Sequence, residues 1–279
     1  MIAQTTAPSP VPTRPVLSPP TVDVDGLGLH AVTEPEAVEF IVSELDAGRG
    51  GWCVTPNLDY LRRYRRCVEF RRLLNEATFR VADGTPLVWA AKLQGTPLPG
   101  RVAGSSLIST LAAGAARAGH SIYLLGGEPG AAAGAAAVLA ARHPDLVVAG
   151  TCSPAVPAVP DRACVAAVAE AIRAAGSPDI VFIGLGSPKT EWLIAELVGQ
   201  FPRTWWVGVG VSFSFLTGQV RRAPAWVQRI GLEWAFRVSQ EPRRLARRYL
   251  IDGIPYGCGL LLRAAARRFT GFRPGGAHP

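Results

Sequence analysis

The stretch Cys53–Ser106, CVTPNLDYLRRYRRCVEFRRLLNEATFRVADGTPLVWAAKLQGTPLPGRVAGSS, decides how the chain is read. Short apolar runs in it stop abruptly in polar, turn-forming residues. Val54 runs into Thr55-Pro56-Asn57, and Phe79–Ala82 runs into Asp83-Gly84-Thr85-Pro86. Buried parallel strands end this way, and in open α/β sheets the ligand crevice lies just outside their carboxyl ends. Thr55, Asn57 and Asp83 therefore stand where chemistry is usually placed. Asp83 is the only carboxylate at these two ends, which makes it the first candidate for a general base. A plainer reading stays open, with Asp-Gly as a turn and Thr-Pro-Asn as the cap of the next helix.

On the amino-terminal side, residues 1–21 are rich in Pro, Thr and Ser and are expected to form a disordered tail. Val22–Leu29 reads as a strand or small hairpin turning at Gly26. Thr33-x-x-Glu36 is a capping box for a helix running to Asp46. The first core strand is Trp52–Val54, and an arginine-dense helix follows over Leu58–Asn75, its arginines expected to be mostly a solvated face. Further strands are expected at Phe79–Ala82, Ile122–Leu125, Leu146–Ala149, Ile180–Ile183 and Trp205–Val209. Helices are expected between them at Pro86–Leu93, from Ser105 or Ser106, and at Ala131–Ala141, Arg162–Ala174 and Glu191–Val198. This alternation predicts an α/β fold with a doubly wound, mostly parallel, Rossmann-like sheet, occupying residues 22–218. Residues 219–273 read as a basic helical appendage interrupted at Pro224, Pro242 and Pro255, and residues 274–279 as a disordered tail.

A chain of 279 residues with 48% apolar content can build a sizeable core. It has no apolar run of the ~20 residues that span a bilayer, and no secretory signal is expected at its start. The five cysteines, at 53, 67, 152, 164 and 258, form no C-x-x-C pair. That argues against a disulfide framework or a zinc site and fits a reducing cytosol. Cys53 and Cys164 read as core thiols. The net charge of +8 is unevenly spread: from Gln219 to Arg273 twelve arginines face three acids, a local +9. Such a segment seeks lipid headgroups, diphosphates or nucleic acid. Two glycine loops, Gly126-Gly127-Glu128-Pro129-Gly130 and Gly184-Leu185-Gly186-Ser187-Pro188-Lys189, join a strand to a helix, where backbone N–H groups point at anions. Neither completes a dinucleotide or P-loop motif, and their glycines also suit tight turns.

Several stretches together resemble one family, the WecG/TagA/CpsF glycosyltransferases. They are Thr55-Pro56-Asn57, Asp83-Gly84, GTPLPGRVAG over Gly95–Gly104, Leu124–Gly127, IGLGSPKTE over Ile183–Glu191, GVGVSFSFLTGQVRRAP over Gly208–Pro224 and LEWAFRVSQEPRRLARRY over Leu232–Tyr249. The resemblance implies transfer of a sugar, typically N-acetylmannosamine, from a UDP-sugar donor to a polyprenyl-diphosphate-linked acceptor. It places the enzyme on the cytoplasmic face of the membrane and implies inversion, with no metal and no cofactor. It also implies Asp83 as the base, Thr55, Asn57 and Arg101 in the substrate pocket, and Gly126, Gly127, Gly186, Lys189, Thr190 and Glu191 on the nucleotide side. Three positions depart from the family pattern. Ser106 and Ser214 stand where aspartates are common, and Thr190 stands where a glutamine helps hold the donor.

The departing diphosphate gathers negative charge, which helix N-termini and arginines can absorb; Arg221, Arg222, Arg244 and Arg247 are the candidate supply. An anionic membrane surface is the further expected partner. A nucleic acid is not expected, and a homo-oligomer is left open. The competing reading is a non-catalytic protein that binds lipid-linked sugar or nucleic acid through the basic segment.

Overall fold

The computed structural model describes residues 18–270, with all of their side chains except those of Arg229, Arg244 and Thr270. Most of the expected amino-terminal tail and all of 274–279 lie outside the described residues. The described chain opens with a hairpin, β1 (Thr21–Val24) and β2 (Leu27–His30). Its two-residue turn has φ of 55° at Asp25 and 94° at Gly26. Asp-Gly tolerates that left-handed geometry, which matches the twist of the flanking strands. Helix α1 (Glu34–Asp46) starts at the expected capping box, with Thr33 and Glu36 bonded reciprocally.

The chain then runs β3 (Gly51–Val54), α2 (Leu58–Arg66), α3 (Val68–Asn75), β4 (Phe79–Arg80), α4 (Thr85–Leu93), α5 (Gly104–Ala118) and β5 (Ser121–Gly126). Next come α6 (Ala131–Arg142), β6 (Val147–Cys152), α7 (Arg162–Ala174), β7 (Ile180–Gly184), α8 (Lys189–Leu197), β8 (Trp205–Gly208) and α9 (Ser212–Leu216). Strands β3 to β8 form one parallel sheet in the order β4-β3-β8-β7-β5-β6, as a Rossmann-like α/β fold requires.

Alternate residues of each strand enter opposite cores, as period-two geometry demands. Trp52, Leu125, Ile183 and Trp206 face the side covered by α2, α3, α7 and α8. Cys53, Leu124, Phe182 and Trp205 face α1, α5 and α6.

Two expectations in the central stretch need correction. The helix over Leu58–Asn75 is two helices. Cys67 leaves helical geometry at φ −122° and ψ 116°, and its sulfur accepts the Phe70 N–H that opens α3. The strand expected over Phe79–Ala82 shrinks to two residues at the sheet edge. Its pairing still continues through Val81 N–H to the Val54 carbonyl at 3.0 Å. Of the arginines in this run, Arg65, Arg66, Arg71 and Arg72 are exposed, as expected, whereas Arg62 and Arg63 are half-buried. Arg62 and Arg63 hold Asp59 at 3.0 and 2.7 Å, and Arg65 reaches Asp25.

Beyond Gly218 come α10 (Ala225–Arg229), α11 (Glu233–Gln240), α12 (Pro242–Ala246), a wide-turned stretch over Arg247–Gly253 and α13 (Ile254–Thr270). Pro224 and Pro242 mark helix starts, as expected. Pro255 breaks nothing; it occupies the first turn of α13, where its missing N–H costs little. On α13, Gly257, Leu260 and Ala264 are buried, at the spacing of one helical face. Leu260 and Ala264 join the core that contains the hairpin. Leu245 is also buried, at 2% exposure.

Asp25 locks this arrangement. It accepts from Arg263 at 2.8 and 3.0 Å and from Tyr256 at 2.8 Å, while Arg267 reaches Asp23 at 2.8 Å. Burial pushes the Asp25 carboxyl up, but the hydrogen bonds from Arg263 and Tyr256 and the charges of Arg263 and Arg65 outweigh it, holding the group below the usual range. Asp25→Asn keeps the turn and removes the charge. Hydrogen bonds to charged groups and the partial exposure of the arginines set the expected loss at about 2 kcal/mol of unfolding free energy at neutral pH. A carboxyl with a depressed folded pKa contributes its stability above the unfolded value of about 3.9 and loses it in more acid solution. The gap between wild type and variant should therefore close as denaturation is followed below that pH.

Candidate active site

The carboxyl ends of β3 and β4 are tied together beyond the strands themselves. The Asp83 N–H donates to the Pro56 carbonyl at 2.9 Å, and the returning chain adds Val102 N–H to the Ala82 carbonyl at 2.8 Å. That return brings Arg101 to Asp83 and starts α5 with the Gly104 N–H on the Asp83 carboxyl. Gly104 is wedged tightly: a Cβ there would lie 3.2 Å from both Thr55 Oγ1 and the Gly208 carbonyl. Thr55 is buried beneath it. Asn57 caps α2, its Oδ1 accepting from Asp59 N–H at 3.1 Å and Tyr60 N–H at 3.3 Å. The plain capping role of Asn57 is thus realised in the fold.

Two arginines and one glutamate surround Asp83. Arg101 Nη1 donates to Glu233 Oε2 at 2.8 Å, and Arg222 Nε donates to Glu233 Oε1 at 3.5 Å. Arg222 also reaches the Ser105 carbonyl at 3.4 Å. Asp83 is crowded by protein yet keeps a solvent-facing part. Burial pushes its carboxyl up to about 7; Arg101 and Arg222 oppose the shift, and Glu233 reinforces it. A cleft of about 370 Å³ lined by Thr85, Val88, Arg101, Ala225 and Gln228 opens beside this cluster.

The two glycine loops meet at the point where the sheet reverses direction. Adjacent β5 and β7 send their connections opposite ways, to β6 and to β8, which is where open α/β sheets form a crevice. Gly127 N–H bonds the Gly184 carbonyl at 3.1 Å, joining the loops. Gly126 and Gly186 have φ of 92° and 76°. A Cβ on Gly126 would strike Leu185 at 2.7 Å, whereas nothing lies within 4 Å in front of Gly186. Gly186 thus combines a left-handed backbone with open space before it.

The remaining expected site residues do not all converge. Lys189 Nζ donates to the Val156 carbonyl at 2.8 Å. Thr190 is 2% exposed, with its hydroxyl on the Gly186 carbonyl and its methyl under Gly208. It shapes the Gly186 loop from beneath. Glu191 is 1% exposed and accepts from the Tyr60 hydroxyl, leaving Oε2 unpaired. Burial pushes its carboxyl up. Arg221 and Arg247 are exposed, and the Arg244 side chain lies outside the described set. Ser106 bonds Glu34 and Ser214 is buried. Cys53 is buried, its thiol pushed up to about 12 by burial, and Cys164 is only partly covered.

Glu233 and the Asp59 cluster are the residues that sequence reading missed. Arg248, from the basic segment, reaches Asp59 at 3.1 Å beside Arg62 and Arg63. One signal was available: Glu233 is one of only three acids among the twelve late arginines. The expectation of a metal-free reaction took the chain to lack an Asp-x-Asp pair, a spacing used for divalent ions, but the sequence carries one, Asp23-Val24-Asp25. Its carboxylates are occupied by Arg65, Arg263 and Arg267 on the hairpin, away from the strand ends of the sheet. Among the described residues no group of three or more His, Cys, Asp or Glu is placed to hold a metal.

The carboxylate at one strand end and the paired glycine loops at the switch point stand where open α/β sheets form their ligand crevice. Residues 22–270 match the glycosyl transferase WecG/TagA/CpsF family, nearly the whole chain. The protein belongs to that family and is therefore a glycosyltransferase. No described helix is long and apolar enough to cross a membrane.

A base acts only when deprotonated, and a carboxyl near 7 gains its working form as the pH rises. The expected kcat/KM profile climbs with pH through about 7 and then levels. A profile flat across the neutral range would contradict a titrating Asp83 at the reaction centre.

Proposed function

We propose that the protein is an inverting, metal-independent transferase that moves a sugar, N-acetylmannosamine-like, from UDP to a polyprenyl-diphosphate-linked acceptor. The family match over residues 22–270 carries this reading, and Asp83, at a strand end beside Arg101 and Arg222, supports it as the candidate base. Its proton affinity suits removal of a hydroxyl proton at neutral pH. In the reaction the acceptor oxygen attacks the anomeric carbon and gives its proton to Asp83. The bond from that carbon to the UDP oxygen breaks, its electron pair leaves with UDP, and the configuration inverts. Arg222 and the N-termini of α6 and α8 supply positive charge for the leaving diphosphate. The open face of Gly186 lets the nucleotide approach the backbone.

Asp83→Asn keeps the shape of the group but cannot take the proton. It is expected to abolish turnover while UDP affinity stays within a few-fold. General-base catalysis is typically worth about 10²–10⁴-fold, so a variant keeping more than about a tenth of wild-type kcat would remove Asp83 from that role. Turnover is also expected to survive EDTA, because arginines and helix ends take the charge a metal would otherwise carry. Loss of activity that Mg²⁺ or Mn²⁺ restores would contradict this.

The acceptor in this reading is a membrane lipid, and the surface of the segment beyond Gly218 suits adhesion. Eight of the thirteen large apolar side chains exposed among the described residues lie beyond Gly218, including Trp226, Ile230, Leu250, Ile251 and Leu262. Arg221, Arg243, Arg247 and Arg268 are exposed as well, each worth about 1 kcal/mol at an anionic surface. Deleting this segment is a poor test, since Leu260 and Ala264 belong to the core. Reversing Arg267 is also poor, since it would break the contact with Asp23. The double variant Leu250→Ser, Ile251→Ser changes only exposed positions. It should weaken binding to anionic vesicles several-fold and leave turnover of a water-soluble acceptor unchanged. Unaltered vesicle binding would take this surface out of membrane contact.

A further inference from the structure

We infer that Glu233 is a positioning residue of the transfer reaction: from α11 it holds the Arg101 and Arg222 guanidiniums together beside Asp83 and offsets their charge. The inference rests on the reading of Asp83 as the base.

The geometry is specific. One oxygen of Glu233 accepts from Arg101 at 2.8 Å and the other from Arg222 at 3.5 Å. The Glu233 side chain is 15% exposed, against 23% for Arg101 and 26% for Arg222. A contact so sheltered is only weakly screened by salt. The contact joins three separate segments of the chain. Arg101 belongs to the loop that returns from α4 to the strand ends, and Arg222 to the segment leaving α9. Glu233 belongs to neither; it opens α11 and draws the two together. Gly231, two residues earlier, packs so closely on Thr85 that a Cβ would sit 2.8 Å from its methyl. The start of α11 is therefore seated on the start of α4, directly after Asp83.

The groups that act on Asp83 come from each neighbouring element. They are Arg101, the Gly104 N–H that opens α5, Arg222 and Glu233. Three of the four favour the carboxylate. Only Glu233 opposes it while also tying up the two cations that would otherwise be free to turn toward Asp83. Without Glu233, Asp83 would face both guanidiniums uncompensated and become a weaker base. Glu233 touches neither of the reacting atoms in this scheme; it acts through Asp83 and the arginines.

The test follows the Asp83 carboxyl directly, by ¹³C NMR of aspartate-labelled full-length protein titrated with acid. Asp83→Asn assigns the resonance, and no substrate is needed. The wild-type midpoint is expected near 7. Glu233→Gln should lower it by about one pH unit, the size of a unit charge acting through a partly buried site. Glu233→Asp, which keeps the charge, should stay closer to wild type, and Arg222→Gln should shift the midpoint upward. The acid limb of kcat/KM should move with each variant. General loosening of the site would shift all three variants the same way, so opposite signs exclude it. An unmoved midpoint in Glu233→Gln, with the wild type titrating near neutrality, overturns the role of Glu233 and leaves the base assignment intact. A wild-type Asp83 that titrates in the ordinary carboxylate range, or an active Asp83→Asn, removes the base assignment itself.

Discussion

Asp25 receives Arg263 and Arg65 at the hairpin turn, Asp59 receives Arg248 beside Arg62 and Arg63, and Glu233 receives Arg101 and Arg222. These contacts tie the basic segment beyond Gly218 to the hairpin, to α2 and to the loop before α5. Each carboxylate is largely withdrawn from water, and an unpaired carboxylate in such a place costs several kcal/mol. The cost is what makes the ties specific: each acid needs its arginines, and α10 to α13 dock where all three demands are met together. The arginines then divide by position. Arg222, Arg248, Arg263 and Arg267 turn inward to acids, while Arg221, Arg243, Arg247 and Arg268 remain exposed.

The sheet was legible because its signals are local. Apolar runs of four to six residues closed by glycine or proline gave six parallel strands, and the capping box at Thr33 gave the start of α1. Asp83 was legible as a carboxylate at a strand end. Arg101 and Arg222 were named for the site, but the Glu233 that joins them was not. Arg101 and Glu233 are 132 residues apart, and Arg62 and Asp252 are 190 apart. No periodicity within a helix announces such pairings, so Arg62 and Arg63 read as solvated with their neighbours although they face acids. Cys67 misled for a related reason. Its place in an amphipathic run suits an unbroken helix, and the break becomes visible only where its sulfur caps α3. Thr190 shows the limit from the other side, since a residue counted toward the nucleotide by its motif lies sealed beneath Gly208.

In the proposed reaction the site has two electrical tasks that conflict. The leaving diphosphate calls for positive charge, and the base calls for a carboxylate that still wants a proton. Arginines set close to Asp83 serve the first need and undermine the second, because each draws its carboxyl down. Burial alone can restore basicity, but only by raising the cost of the charged form that must do the work. A third charge resolves the conflict at less cost. Glu233 anchors the guanidiniums at fixed positions and cancels part of their field at Asp83. Because that glutamate sits on α11, the electrical balance of the base depends on a helix whose segment also carries the exposed apolar and basic surface. On that proposal, the surface offered to the membrane and the base offered to the substrate are joined through one side chain, with contacts of 2.8 and 3.5 Å to two arginines.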